Sequence, residues 1–188
     1  MQTQTRNSDK PLINPQIPAG DENRVATIFD SVKQHMGFVP DGLKLYSVSP
    51  PLLETFIGNI SYFNSGERLT PTLMAMIRYL VSAEAKCQFC VDMNEGFLTN
   101  MGLDLDVIRA ARHAPETAPV TDKEKLLLKI ALKSVSTPES VDAHDIKAAK
   151  EQGWTERDIF DVVAQAASNR AFNYVLRSFK VESQGVFA

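Results

Sequence analysis

Helix-start signals recur along this chain at one fixed interval, and that recurrence limits the fold more than any other feature. Thr70 and Thr121 stand 51 residues apart (121 − 70), each ahead of an apolar helical stripe. Gly102 and Gly153 share the offset, as do Ile108 and Ile159. Each unit reads as a capped helix, a second helix, a glycine stop and a short acidic helix start. Thr121-Asp122-Lys123-Glu124 is a capping-box pattern, in which hydroxyl and carboxylate each satisfy a backbone N–H at a helix start. These features predict an internal repeat over about 70–112 and 121–163.

The remaining segments read the same way. Val25, Ile28, Phe29, Val32 and Met36 follow a 3.6-residue period that stops at Gly37. Ser49-Pro50-Pro51 places a capping residue ahead of proline at the first helical position. The helix it opens carries Leu52, Leu53, Phe56, Ile57, Ile60 and Phe63 and stops near Gly66. Thr70-Pro71 repeats that start before Leu73, Met76, Ile77, Leu80 and Val81. Thr155 opens a last long helix with Ile159, Val162, Val163, Ala166, Phe172, Val175, Leu176 and Phe179. No segment alternates apolar and polar residues as a half-buried strand does, so the fold class is all-α. Residues 23–188 form a single domain, and residues 1–22, with Pro11, Pro15, Pro18 and Gly20, an extended arm draped on a neighbour.

Composition narrows the functions open to such a chain. A net charge of −3 without a basic face argues against nucleic acid as a partner. No apolar run is long enough to cross a bilayer, so no membrane role is expected. Met1 to Asp9 is polar and lacks a secretory apolar core, which places the protein in the cytoplasm. A lone structural disulfide does not persist there.

That bears on Cys87-Gln88-Phe89-Cys90, which holds the two cysteines of the chain. Cysteines spaced i, i+3 on a helix share a face and can close a local disulfide. At the repeat offset Cys87 aligns with Pro138 of a Thr137-Pro138 helix start, which puts Cys87 in a first helical turn. The positive end of the helix dipole, with Lys86 adjacent, favours a thiolate there. Phe89 and Val91 are expected in the core, leaving the pair at a partly exposed edge. The bland alternative is two small core hydrophobes. A zinc site needs two more ligands, and His35, His113 and His144 lack ligand spacing, so no metal or cofactor is expected.

Leu69-Thr70-Pro71, the helix through Arg78 and Ser82, Cys87-Gln88-Phe89-Cys90, Gly153-Trp154-Thr155-Glu156 and the pair Asn169 and Asn173 together resemble the alkylhydroperoxidase D-like, carboxymuconolactone decarboxylase superfamily over roughly residues 40–180. The resemblance implies a bundle of repeated helical hairpins. It also implies homo-oligomers, trimers or hexamers with dimers included, and a cysteine cleft near a subunit interface. In peroxidase members the second cysteine attacks and the first resolves, which assigns those roles to Cys90 and Cys87. The dipole argument favours Cys87 as the more acidic thiol, and the choice stays open. The family's proton relay uses a histidine four residues after the second cysteine and a glutamate twelve before the first. Here those positions hold Asn94 and Ala75. Asparagine hydrogen-bonds but is no general base near neutral pH. Glu84 is the candidate substitute base and Asp92 a weaker one. Arg170 reads as lining a polar cleft or oligomer contact, or as half of an interhelical salt bridge.

The expected function is a thiol oxidoreductase that reduces peroxides or disulfides through Cys87 and Cys90 and is recycled by a cellular dithiol. The alternatives are a binding or scaffolding protein that has lost the relay, and a cofactor-free decarboxylase or lactone-processing enzyme.

Overall fold

Local capping signals decide where the helices begin. The structure, a computed structural model, describes residues 11–66 and 68–181. Every regular element among them is helical: α1 (Glu22–Met36), α2 (Asp41–Tyr46), α3 (Pro50–Phe63), α4 (Pro71–Glu84), α5 (Gln88–Asn100), α6 (Leu105–Ala110), α7 (Asp122–Ser136), α8 (Ala143–Glu151) and α9 (Glu156–Ser178). Short 3₁₀ turns lie at Pro115–Thr117 and Pro138–Ser140. The Thr70 hydroxyl accepts from the Leu73 amide, and Thr121 and Thr155 each complete a capping box. Ser49 occupies the N-cap of α3 without a side-chain capping bond, so Pro50 alone marks that start. The six-residue α2 is too short to leave a periodic apolar signature and has no counterpart among the sequence expectations.

Several helix ends share one backbone device. In a Schellman motif a left-handed residue after the helix lets its own amide and the next one bond back to the last turn. Gly102 and Gly153 end α5 and α8 this way, at φ +87° and +90°. The Leu103 amide then reaches the Leu98 carbonyl at 3.2 Å, and the Trp154 amide that of Ala149 at 3.2 Å.

α4 is the central helix. Nine of its fourteen residues are buried, so it is apolar on every side rather than along the one stripe that periodicity suggested. Met74, Ala75 and Tyr79 are inside together with Leu73, Met76, Ile77 and Leu80. α5, α7 and α9 pack around it, and α7 packs on α9. The main core joins these helices through residues such as Ile77, Leu98, Leu127, Ile130, Val162 and Ala166. Each such valine, leucine or isoleucine side chain, fully buried, contributes roughly 1.5–3 kcal/mol.

A second apolar cluster, around Val25, Leu43 and Leu53, joins α1, α2 and α3. α3 buries Leu53 and Phe63 and leaves Leu52 and Ile60 exposed. A third cluster stitches α2 to α5 and α9 through Leu45, Phe89, Phe172, Leu176 and both cysteines. That seam is tight at Gly42, where a Cβ would lie 2.9 Å from the Phe172 ring and 3.2 Å from Leu176 and Phe89. Residues 1–10 of the expected arm lie outside the described residues. The described part lies against its own chain, with the Leu12 amide 2.9 Å from the Phe179 carbonyl and Ile13 on the third cluster. No helix among the described residues is long and apolar enough to cross a membrane.

Candidate active site

The position of Cys87 is set by backbone geometry. α4 ends at Glu84, and Lys86 takes the left-handed conformation at φ +56°. The Lys86 amide reaches the Ala83 carbonyl at 3.0 Å and the Cys87 amide the Ser82 carbonyl at 3.0 Å, a Schellman motif built on lysine. Cys87 is at once the last residue of that motif and the N-cap of α5. It therefore stands one position ahead of the first helical turn expected from the repeat. Only Ala85, Lys86 and Cys87 separate the two helices, and Cys90 lies in the first turn of α5.

The sulfurs lie 2.9 Å apart, within hydrogen-bonding reach of each other. Both cysteines are free. They are 1% and 2% exposed, which corrects the expected partly exposed edge. Leu45 of α2 and Phe172 and Leu176 of α9 close over them, an enclosure made by elements distant in sequence.

Their environments separate the two thiols. The hydrogen bond from Cys90 holds the Cys87 thiol below the ordinary cysteine value. Burial opposes that shift; the Cys90 amide, the Arg177 charge and the Asn173 side chain support it. The amide forms no full capping hydrogen bond with the sulfur. The cation acting on Cys87 is thus Arg177 of α9, where sequence reading pointed to Lys86. Cys90 is pushed far upward because it donates to Cys87, is buried and faces a neighbouring anion. The pair therefore ionises first as a Cys87 thiolate and a Cys90 thiol.

Behind the sulfurs runs a buried polar cluster. Ser82 Oγ accepts from Asn169 Nδ2 at 3.0 Å and Asn173 Nδ2 at 3.1 Å. Asn169 Nδ2 also donates to Asn173 Oδ1 at 3.2 Å and to the Arg78 carbonyl at 3.1 Å. The side chains of Asn173 and Ser82 both hydrogen-bond toward Cys90. Ser82 and Arg177 were not singled out from sequence as partners of the sulfurs; neither position carries a local signal of that contact.

Cys90, and not Cys87, forms part of the wall of a cleft of about 470 Å³. Phe56 of α3, Met93 of α5 and Phe172 of α9 are among its apolar lining residues. Phe56 and Phe172 stack with centroids 4.6 Å apart. Asn94, at the expected relay position, is buried in the same wall. Its Nδ2 donates to the Cys90 carbonyl at 2.7 Å, and its Oδ1 accepts from Arg78 Nε at 3.2 Å. Ala75 is wholly enclosed in the main core.

Glu84 faces elsewhere. One carboxylate oxygen pairs with Arg170 at 2.9 Å and the other accepts from the Ser136 hydroxyl at 2.7 Å. Arg170 is thus the interhelical salt-bridge partner, and it also lies over the Tyr174 ring. Asp92 accepts from Gln88 Nε2 at 2.6 Å. Asp142, His144 and Asp145 bring ligand-type atoms within 4.8 Å of one another. Asp142 caps α8 and Asp145 is paired with Lys129 and Lys133, which accounts for the cluster.

A helical bundle with two free, hydrogen-bonded cysteines, one of them at the wall of an apolar cleft, defines an all-α dithiol protein. No protein-family model and no curated protein matches the sequence. Solved structures do match. An uncharacterized peroxidase-related protein from Silicibacter sp. TM1040 is 18% identical, covers 98% of this chain and 97% of its own, and superposes with a TM-score of 0.85. An uncharacterized peroxidase-related protein from Ralstonia eutropha JMP134, described as an alkylhydroperoxidase AhpD core, is 21% identical over 95% of this chain and 93% of its own, with a TM-score of 0.80. The debrominase Bmp8 is 18% identical over 89% and 91% of the two chains, with a TM-score of 0.70. A cysteine-to-alanine variant of that debrominase has been solved in complex with 2,3,4-tribromopyrrole. The chain has the alkylhydroperoxidase D-like fold, the fold its sequence resemblance implied.

Proposed function

We propose that this protein is a thiol oxidoreductase in which Cys90 attacks a peroxide in the cleft and Cys87 resolves it. The observation that carries the reading is the 2.9 Å thiol pair with Cys90 at the cleft wall. It supplies what the substituted relay positions lack. The Cys87 thiolate accepts the Cys90 proton, so one cysteine acts as base for the other. The Cys90 sulfur then attacks the outer oxygen of ROOH; the O–O bond breaks and Cys90 becomes a sulfenic acid. The leaving RO⁻ takes the proton now on Cys87. The Cys87 thiolate attacks the Cys90 sulfur and expels hydroxide, leaving an intramolecular disulfide. An external dithiol reduces the disulfide and is itself oxidised to one. Homo-oligomers belong to the same proposal and are read by light scattering.

One equivalent of hydrogen peroxide or tert-butyl hydroperoxide should convert the two free thiols into one disulfide, a loss of two hydrogens by mass. Cys90→Ser should leave Cys87 reduced, and Cys87→Ser should leave a trappable sulfenic acid on Cys90. Thiols that stay reduced under excess peroxide would sink this reading in favour of a binding protein. The debrominase neighbour favours a second use of the same dithiol on this apolar, aromatic cleft. There the two electrons would replace an aryl C–Br bond by C–H and release bromide. Bromide release from a brominated pyrrole separates the two readings.

A further inference from the structure

The cleft wall carries Arg78 and no carboxylate among the described residues. Several other arginines of the bundle are paired: Arg109 and Arg112 with Glu95, Arg68 with Asp158, and Arg170 with Glu84. The Arg78 side chain has one hydrogen bond among the described residues, from Nε to Asn94, and its terminal nitrogens have no partner there. The residue keeps some surface but lies deep in the molecule, and burial pushes its guanidinium down to about 10, which leaves it charged at neutral pH. A desolvated charge without a counter-ion is costly to keep. An anion brought in by a ligand offsets that cost. The terminal edge of a guanidinium matches a carboxylate with two parallel hydrogen bonds. Asn94 fixes the geometry, because it holds Nε on one side and the Cys90 carbonyl on the other.

We propose that the cleft takes substrates made of a small apolar body and one carboxylate head, with the head seated on Arg78 and the body against Phe56, Met93 and Phe172, so that the reducible group meets Cys90. The volume of about 470 Å³ suits a ligand of that size. This inference rests on the cleft being the site of thiol chemistry, but its test does not require turnover.

Calorimetric titration of the reduced protein with 3-phenylpropionate and with 3-phenylpropionamide compares two ligands that the thiols cannot reduce. The acid should bind the wild-type protein at least tenfold more tightly than the amide. Arg78→Met should bring the two within about twofold, and Arg78→Lys should retain part of the preference. Equal affinities on the wild-type protein overturn the proposal, as does an acid preference that survives Arg78→Met. Should Arg78→Met fail to fold, the guanidinium resonance of Arg78 in the wild-type protein decides, and no shift on adding the acid overturns the proposal. Peroxide oxidation of the dithiol without acid preference removes this inference and leaves the oxidoreductase reading standing. Acid preference with inert thiols does the reverse.

Discussion

Asn173 is wholly buried and its amide serves both sulfurs. It supports the Cys87 thiolate, whose value lies below that of an ordinary cysteine. The thiolate therefore persists at pH values where a free cysteine is protonated, and its reactivity falls as pH drops through the lowered value. Asn173→Ala removes one stabilising hydrogen bond and should move that limb to higher pH. Iodoacetamide alkylation at pH 7 should slow by roughly 3- to 10-fold, the worth of one hydrogen bond. An unchanged pH profile in a folded variant would show that the amide is structural only. At the relay position, asparagine serves as a brace between Arg78 and the turn that carries Cys90. Its local sequence shows that it is not a histidine; what it does hold depends on α4, sixteen residues earlier.

At the scale of elements, the α4–α5 junction depends on a lysine in a conformation that favours glycine. A non-glycine residue in the left-handed region costs about 1–2 kcal/mol. Lys86→Gly should therefore raise stability by up to about 1 kcal/mol, less the entropy that glycine adds to the unfolded chain. Lys86→Val, with its branched Cβ, should lower stability by about 1–2 kcal/mol and alter thiol reactivity. Chemical denaturation of both variants checks the order, and a valine variant as stable as wild type would refute the strain. Helix starts at Thr121 and Thr155 were legible because a capping box lies within four consecutive residues, and the start at Thr70 because a capping threonine stands directly ahead of Pro71. The α4 stop was not legible, because Lys86 carries none of the signal that Gly102 and Gly153 provide. Burial of the cysteines was equally hidden, since Leu45, Phe172 and Leu176 lie far from them in sequence.

Across the whole molecule, the cleft lies where the α1–α3 cluster meets the helices of the main core. The smaller cluster buries Val25, Leu43 and Leu53 and the larger one many more residues, so the cleft has a lightly packed side and a firmly packed one. Native-state hydrogen exchange should find lower opening free energies in α1 and α3 than in α4, α7 and α9. Uniform protection across all five helices would refute that division. The cysteine pair sits on the rigid side of it, and its placement has a consequence for how the chain tolerates changes in length. Cys87 ends one helix motif and caps the next, so the stretch from Glu84 to Gln88 has no slack. One residue inserted or deleted there turns α5 by about 100°. Cys90 would leave the cleft wall and Asn94 would swing away from Arg78. Substitution is open to this site, but a shift in register is not.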